Sequence, residues 1–272
     1  MDEAQDLHQI ELLALARFAC QSLTVVADPS QKIYKTTFSW ASIGLSFHAD
    51  NSRTLRENFR STRQIVTLAL PLRPPEEGEA VQLDELPPAV RNGPLPTLYV
   101  AADRQQEDAL LVRLLRQLTL EQPTWTIGVL GRTWRQLNDW QRLLRASGLS
   151  SVELVQRMQG NVLAAGIKLV SLHSAKGLEF DAVVIPRLME GIIPTAPHSY
   201  HGDALQDAQE AAQDGAEHYA YEQRLLYVAL TRARQQVLLM TSGVPSRFLS
   251  LLAPNTFQQV TVRGPASAIS SQ

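Results

Sequence analysis

Between Thr97 and Met240, short unbroken apolar runs take turns with segments whose apolar residues recur at helical spacing. Thr97–Ala101, Thr126–Leu130, Ile167–Leu172, Ala182–Ile185 and Gln236–Met240 read as strands, and Gln105–Leu120, Trp134–Leu144 and Glu222–Arg234 read as helices. In the first of these helices Leu110, Leu111, Leu114, Leu115 and Leu118 share a face. Strands apolar on every residue must be buried on both sides, which requires a parallel sheet with helices on each face. The predicted class is therefore α/β.

Seven of the 15 prolines and five acidic residues fall between Pro71 and Pro96. Proline fixes φ and removes a donor, so this stretch is expected to hold no regular element and to act as a linker. The division that follows is 1–70, 71–96 as linker, 97–253, and a loose tail 254–272. In the first part, Leu7–Phe18 is a predicted helix and Leu23–Ala27 a predicted strand. His198 to Ala220 is polar, acidic and alanine-rich, and is expected to be an exposed excursion. Its His198, His201 and His218 lack a fixed ligand spacing and read as solvated rather than metal-binding.

With a formal charge of −2, the 272-residue chain has no global basic field, so any phosphate-binding surface must be local. One such place is Lys32–Arg63, where six cations meet two acids. The single cysteine, Cys20, excludes an intrachain disulfide and fits a reducing compartment. No apolar run reaches the roughly 20 residues of a membrane span, so a cytoplasmic protein without membrane contact is expected.

Five segments bear on chemistry. The chain opens Met1-Asp2-Glu3; Val25 to Tyr34 runs from an apolar stretch into a loop holding Gln31 and Tyr34, followed by Trp40; and Leu55 to Thr62 reads Leu-Arg-Glu-Asn-Phe-Arg-Ser-Thr. Ile167 to Phe180 turns from a strand through His173-Ser174-Ala175-Lys176-Gly177-Leu178-Glu179, and Glu222 to Arg234 reads Glu-Gln-Arg-Leu-Leu-Tyr-Val-Ala-Leu-Thr-Arg-Ala-Arg. In this order they resemble the later motifs of the UvrD/Rep-like superfamily 1 DNA helicases.

That resemblance implies RecA-like parallel sheets of the P-loop NTPase type, one partial domain and one complete, with ATP and Mg2+ between them and single-stranded DNA across both. Asp2 would hold magnesium and Glu3 act as general base. Gln31 would contact the γ-phosphate, and Arg60 and Arg232 would supply charge to the transition state. Gly177 and Glu179 would meet the nucleotide, and Tyr34, Trp40 and His173 the DNA. The residue types suit those roles: guanidinium matches planar phosphate oxygens, and aromatic faces stack on bases without reading sequence.

A Gly-x-x-x-x-Gly-Lys-Ser/Thr loop, which cradles the β- and γ-phosphates, is not in the sequence. Gly131-Arg132-Thr133 imitates its end, but Thr126 stands where the leading glycine belongs. The expected partner is thus an N-terminal helicase segment carrying that loop, with this chain as the C-terminal portion, inactive alone. Only Ser151 to Gly166 separates the helix before them from the His173 strand, too little for the inserted subdomain of larger family members, so translocation on single strands is expected ahead of unwinding. The rival is a non-catalytic nucleic-acid-binding or interaction module that retains the helicase fold.

Overall fold

The computed structural model describes residues 1–2, 4, 7–18, 22–27, 44, 50–53, 58–73, 89–149, 152–155, 164–197 and 206–262. Helix α1 (Gln9–Phe18) comes first. The unit of strand β1 (Asn58–Thr62), helix α2 (Arg63–Ala69) and strand β2 (Ala89–Arg91) follows, β1 and β2 pairing in parallel. The remaining elements are β3 (Thr97–Ala101), α3 (Arg104–Glu121), β4 (Thr126–Gly131), α4 (Trp134–Ala146), β5 (Val152–Leu154), β6 (Gly166–Ser171), β7 (Phe180–Ile185), α5 (Gln206–Leu230), β8 (Ala233–Ser242) and β9 (Gln258–Thr261).

Strands β3 to β9 make one sheet in the order β5-β6-β4-β7-β8-β3-β9, every neighbouring pair parallel. Continuous burial explains it: β6 is buried at all six positions and β4 at five, so both faces need cover. Helices α3 and α4 cover one face, where Leu111, Leu115, Leu137, Trp140 and Leu144 pack on Ile127, Val129, Ile167, Leu169 and Val184. On the other face α2 and α5 lay Ile65, Leu68, Leu225, Val228 and Ala229 against Leu130, Val170, Val183, Ile185, Val237 and Leu239. Gly128 lies beneath the Phe180 ring, where an added Cβ would come within 2.7 Å of ring carbons.

Helices α3 and α4 both start where the sequence offers a cap. Asp103 accepts the Gln106 N–H at 2.8 Å at the head of α3, and Thr133 with Gln136 closes a reciprocal capping box on α4.

Five expectations are corrected. A 3-10 turn, Leu70–Leu72, runs into the start of the stretch read as an unstructured linker, and within it β2 occupies the proline-free residues 89–91, which can still donate to β1. The proposed excursion is helical from Gln206, because alanine, glutamate and glutamine are strong helix formers even without an apolar stripe. His218 is consequently not solvated loop: its Nε2 lies 2.9 Å from the Thr195 carbonyl oxygen. The tail is not loose at 258–261, where β9 pairs with β3 at the sheet edge. Leu23–Ala27 forms no assigned strand, although its backbone runs beside the start of the chain, Val26 N–H donating to the Met1 carbonyl at 2.8 Å and Ala4 N–H to Val26 at 3.0 Å.

Candidate functional site

In a parallel sheet all strands point the same way, so chemistry-bearing residues sort by which edge they occupy. Four of the residues expected at the nucleotide, Arg60, Gly177, Glu179 and Arg232, lie toward the N-terminal edge. Glu179 precedes the first residue of β7 and Arg232 the first of β8, and Phe180 N–H donates to the Arg232 carbonyl at 2.9 Å, placing the two strand entries side by side. Strand β1 docks on them through Ser61, whose hydroxyl donates to the Ala233 carbonyl at 2.7 Å. Arg60 then reaches Glu179, its Nε donating to Oε1 at 2.5 Å, with both side chains 39% exposed. Asn58 fixes this bend by accepting the N–H groups of Arg60 and Ser61, each at 3.0 Å, and Arg91 donates to the Arg60 carbonyl.

Arg232 is 1% exposed. Its Nε donates to the Val228 carbonyl at 3.1 Å, against the last turn of α5. Gly177 has φ +77° and open space around its would-be Cβ, so the turn demands glycine for conformation rather than for room.

The opposite edge holds His173. It follows the C-terminal end of β6, beside Arg132, which follows the end of β4. The helix after β4 leads away toward β5 while the helix after β7 leads toward β8, so β4 and β7 are neighbours whose connections diverge. Open α/β sheets take ligands in such a crevice. The buried carboxylate of Glu222, 0% exposed, spans it. Arg132 donates to Glu222 through Nε at 3.1 Å to each oxygen and through Nη2 to Oε1 at 2.6 Å, and Thr195 N–H donates to Oε2 at 3.2 Å. His173 stacks obliquely on Tyr221, ring centres 5.9 Å apart.

Burial, aided by the Arg132 charge, pushes the His173 imidazole below its ordinary 6.5, and Glu222 opposes the shift. The unfolded chain therefore takes up this proton before the folded one does. Stability is full above pH 6.5 and falls as the pH drops below it. Thermal melts at stepped pH check this, and His173→Gln is expected to flatten the fall.

The structure thus brings Arg60, Gly177, Glu179 and Arg232 together and sets His173 apart at the other edge. Asp2 is exposed, and Glu3, Gln31, Tyr34 and Trp40 lie outside the described residues. Among the described residues no group of three His, Cys, Asp or Glu side chains gathers. At this edge the Arg60 guanidinium and the Glu179 carboxylate are partly exposed, while the Arg232 side chain is buried against the end of α5. Arg132, Thr195 and Glu222 were not singled out as site residues by the sequence. The available signal was an arginine placed between a buried strand and a capping box.

Residues 138–243 match the family model described as the UvrD-like helicase C-terminal domain. A probable DNA helicase of Mycoplasma pneumoniae is 27% identical over 277 aligned positions, covering 95% of this chain and 47% of that protein. ATP-dependent DNA helicase UvrD2 of Mycobacterium tuberculosis is 39% identical over 101 residues, 34% of this chain and 13% of its own. DNA helicase II of Escherichia coli is 30% identical over 120 residues, 40% of this chain and 15% of its own. This chain spans about half the length of the Mycoplasma relative and far less of the other two. The fold is shared with the C-terminal domain of a possible DNA helicase from Lactobacillus plantarum, at TM-score 0.51 and 22% identity, covering 74% of this chain and 98% of that one. The matched model and these relatives belong to the family that the motifs resemble, and the parallel α/β sheet agrees with the architecture that the resemblance implies.

Proposed function

We propose that this chain is the C-terminal motor portion of an ATP-dependent DNA helicase or translocase that moves on single-stranded DNA. One observation carries the reading. Helix α5 bears the Arg132 partner Glu222 toward one sheet edge and ends beside Arg232 at the other, so a single rigid element touches both the expected DNA side and the expected nucleotide side. From Glu222 to Leu230 it rises roughly 12 Å at about 1.5 Å per residue.

In this reading Arg60 and Arg232 supply positive charge to the transferring phosphoryl group, and Glu179 with the Gly177 turn meets the sugar or phosphates. ATP would supply the free energy of movement when bound. Asp2 and Glu3 would face magnesium and the attacking water, Gln31 the γ-phosphate, and Tyr34, Trp40 and His173 the DNA. The partner is an N-terminal helicase segment. Coverage supports that: this chain spans 47% of the Mycoplasma pneumoniae relative. Among the described residues no helix is long and apolar enough to cross a membrane, and the cytoplasm is the proposed compartment.

Two experiments test this on the chain as it stands. Purified protein should show no appreciable ATP turnover, because it lacks the loop and lysine that hold the β- and γ-phosphates. Turnover that disappears in Glu3→Gln contradicts this, since contamination would survive the substitution. The chain should still bind oligo-dT weakly, the more weakly the higher the salt. Trp40→Ala should reduce that binding several-fold while the melting temperature holds, because a base stacked on an aromatic contributes about 1 to 3 kcal/mol. A large fall in melting temperature would place Trp40 in the core instead.

A further inference from the structure

Arginine presents its N–H groups along two forked edges, and in Arg132 one of them is taken. Nε and Nη2 meet the Glu222 carboxylate, while Nη1 and the second Nη2 hydrogen face away from it, in a side chain that remains 18% exposed. The partner is fixed more firmly than the arginine: Glu222 is fully buried in α5 and also takes the Thr195 N–H. A guanidinium on a flexible stem pays rotamer entropy whenever it grips an anion, and a buried carboxylate behind it removes much of that cost in advance. The arrangement sits at the divergence of β4 and β7, with His173 on its flank.

We propose that Glu222 is a positioning residue: held in the core of α5, it orients Arg132 so that the outer edge of its guanidinium is presented to one phosphodiester of the bound strand. This rests on the reading of the C-terminal sheet edge as the DNA side. It also assigns the opening residue of the Glu222–Arg234 segment a task separate from that of Arg232 at its far end.

Simple charge and positioning predict opposite signs. Removing a carboxylate near a phosphate strengthens anion binding if Glu222 acts only through its charge. It weakens binding if Glu222 aims the arginine. The experiment measures oligo-dT affinity of the 272-residue chain across a salt series for wild type, Glu222→Gln, Arg132→Lys and the double variant. Glu222→Gln is expected to weaken binding several-fold and to lower the slope of log affinity against log salt by about 0.7, the loss of one single-strand phosphate contact. In the Arg132→Lys background, where no bidentate pair can form, Glu222→Gln should add nothing.

Equal or tighter binding by Glu222→Gln overturns the proposal, as does an equal further loss on top of Arg132→Lys. If Arg132→Ala leaves affinity untouched, the sheet edge is not the DNA side and the underlying reading fails first. Should Glu222→Gln not fold, the unmodified chain decides. The Arg132 Nε–H resonance should be protected from exchange and stay unmoved by oligo-dT while the Nη resonances shift. An Nε–H that exchanges freely, or shifts with the Nη signals on addition of DNA, rules the positioning role out.

Discussion

Arg232→Ala, in this chain joined to a segment that supplies the phosphate-binding loop, is expected to lower ATP turnover by about 10³- to 10⁵-fold with folding intact, the range for an arginine that stabilises the charge of a transferring phosphoryl group. Arg60→Ala should fall in the same range, because Arg60 reaches the same strand entries through its contact with Glu179. A wild-type rate in either variant would remove that arginine from the catalytic set. The control is the melting temperature. Arg60 is partly exposed and its loss should barely move it, whereas Arg232 is buried and its variant must be shown to remain folded before the rate is interpreted.

Glu107→Ala is the change expected to cost the most stability. Glu107 is 1% exposed on α3 and accepts the Arg187 backbone N–H at 2.6 Å, the Arg187 guanidinium and the Ser242 hydroxyl. Arg187 has φ +60°, a left-handed conformation unusual for a residue with a Cβ, and these contacts hold it there. Asp108 shares the guanidinium at 2.7 Å, yet burial still pushes its carboxyl above the ordinary value, so it compensates poorly for the loss of Glu107. Breaking one partner of a buried pair costs about 3 to 5 kcal/mol. In a domain of this size that corresponds to a melting temperature lower by roughly 6 to 20 °C. Calorimetry checks it, and a shift of only a degree or two would show that the cluster is not what holds the ends of β7 and β8 to α3.

What could be read from the sequence follows from which forces act locally. Strand β3 begins and ends where Thr97–Ala101 was expected, and the leucine face of α3 is buried residue for residue, because an unbroken apolar run or an apolar stripe states its burial without reference to the rest of the chain. The first half of α5 offers no stripe, and β9 is polar and mostly exposed, held by backbone pairing to β3; neither announces itself by hydropathy. Strand β2 hides between prolines and exists because β1 lies alongside it.

The site divides in the same way. Arg60, Glu179, Arg232 and His173 stand in recognisable segments, so their types and order were visible. Their sorting to two edges of one sheet was not, because it depends on the strand order. The Arg132–Glu222 pair joins positions 90 residues apart, and nothing in the sequence of either announces the other.

The central claim is that one element, α5, links a nucleotide side to a DNA side. The measurement that tests it most directly is the ATP turnover of the joined protein with and without oligo-dT at low salt. The account predicts turnover that rises several-fold when the oligonucleotide is added. Turnover that proceeds at the same rate with or without it would contradict the claim.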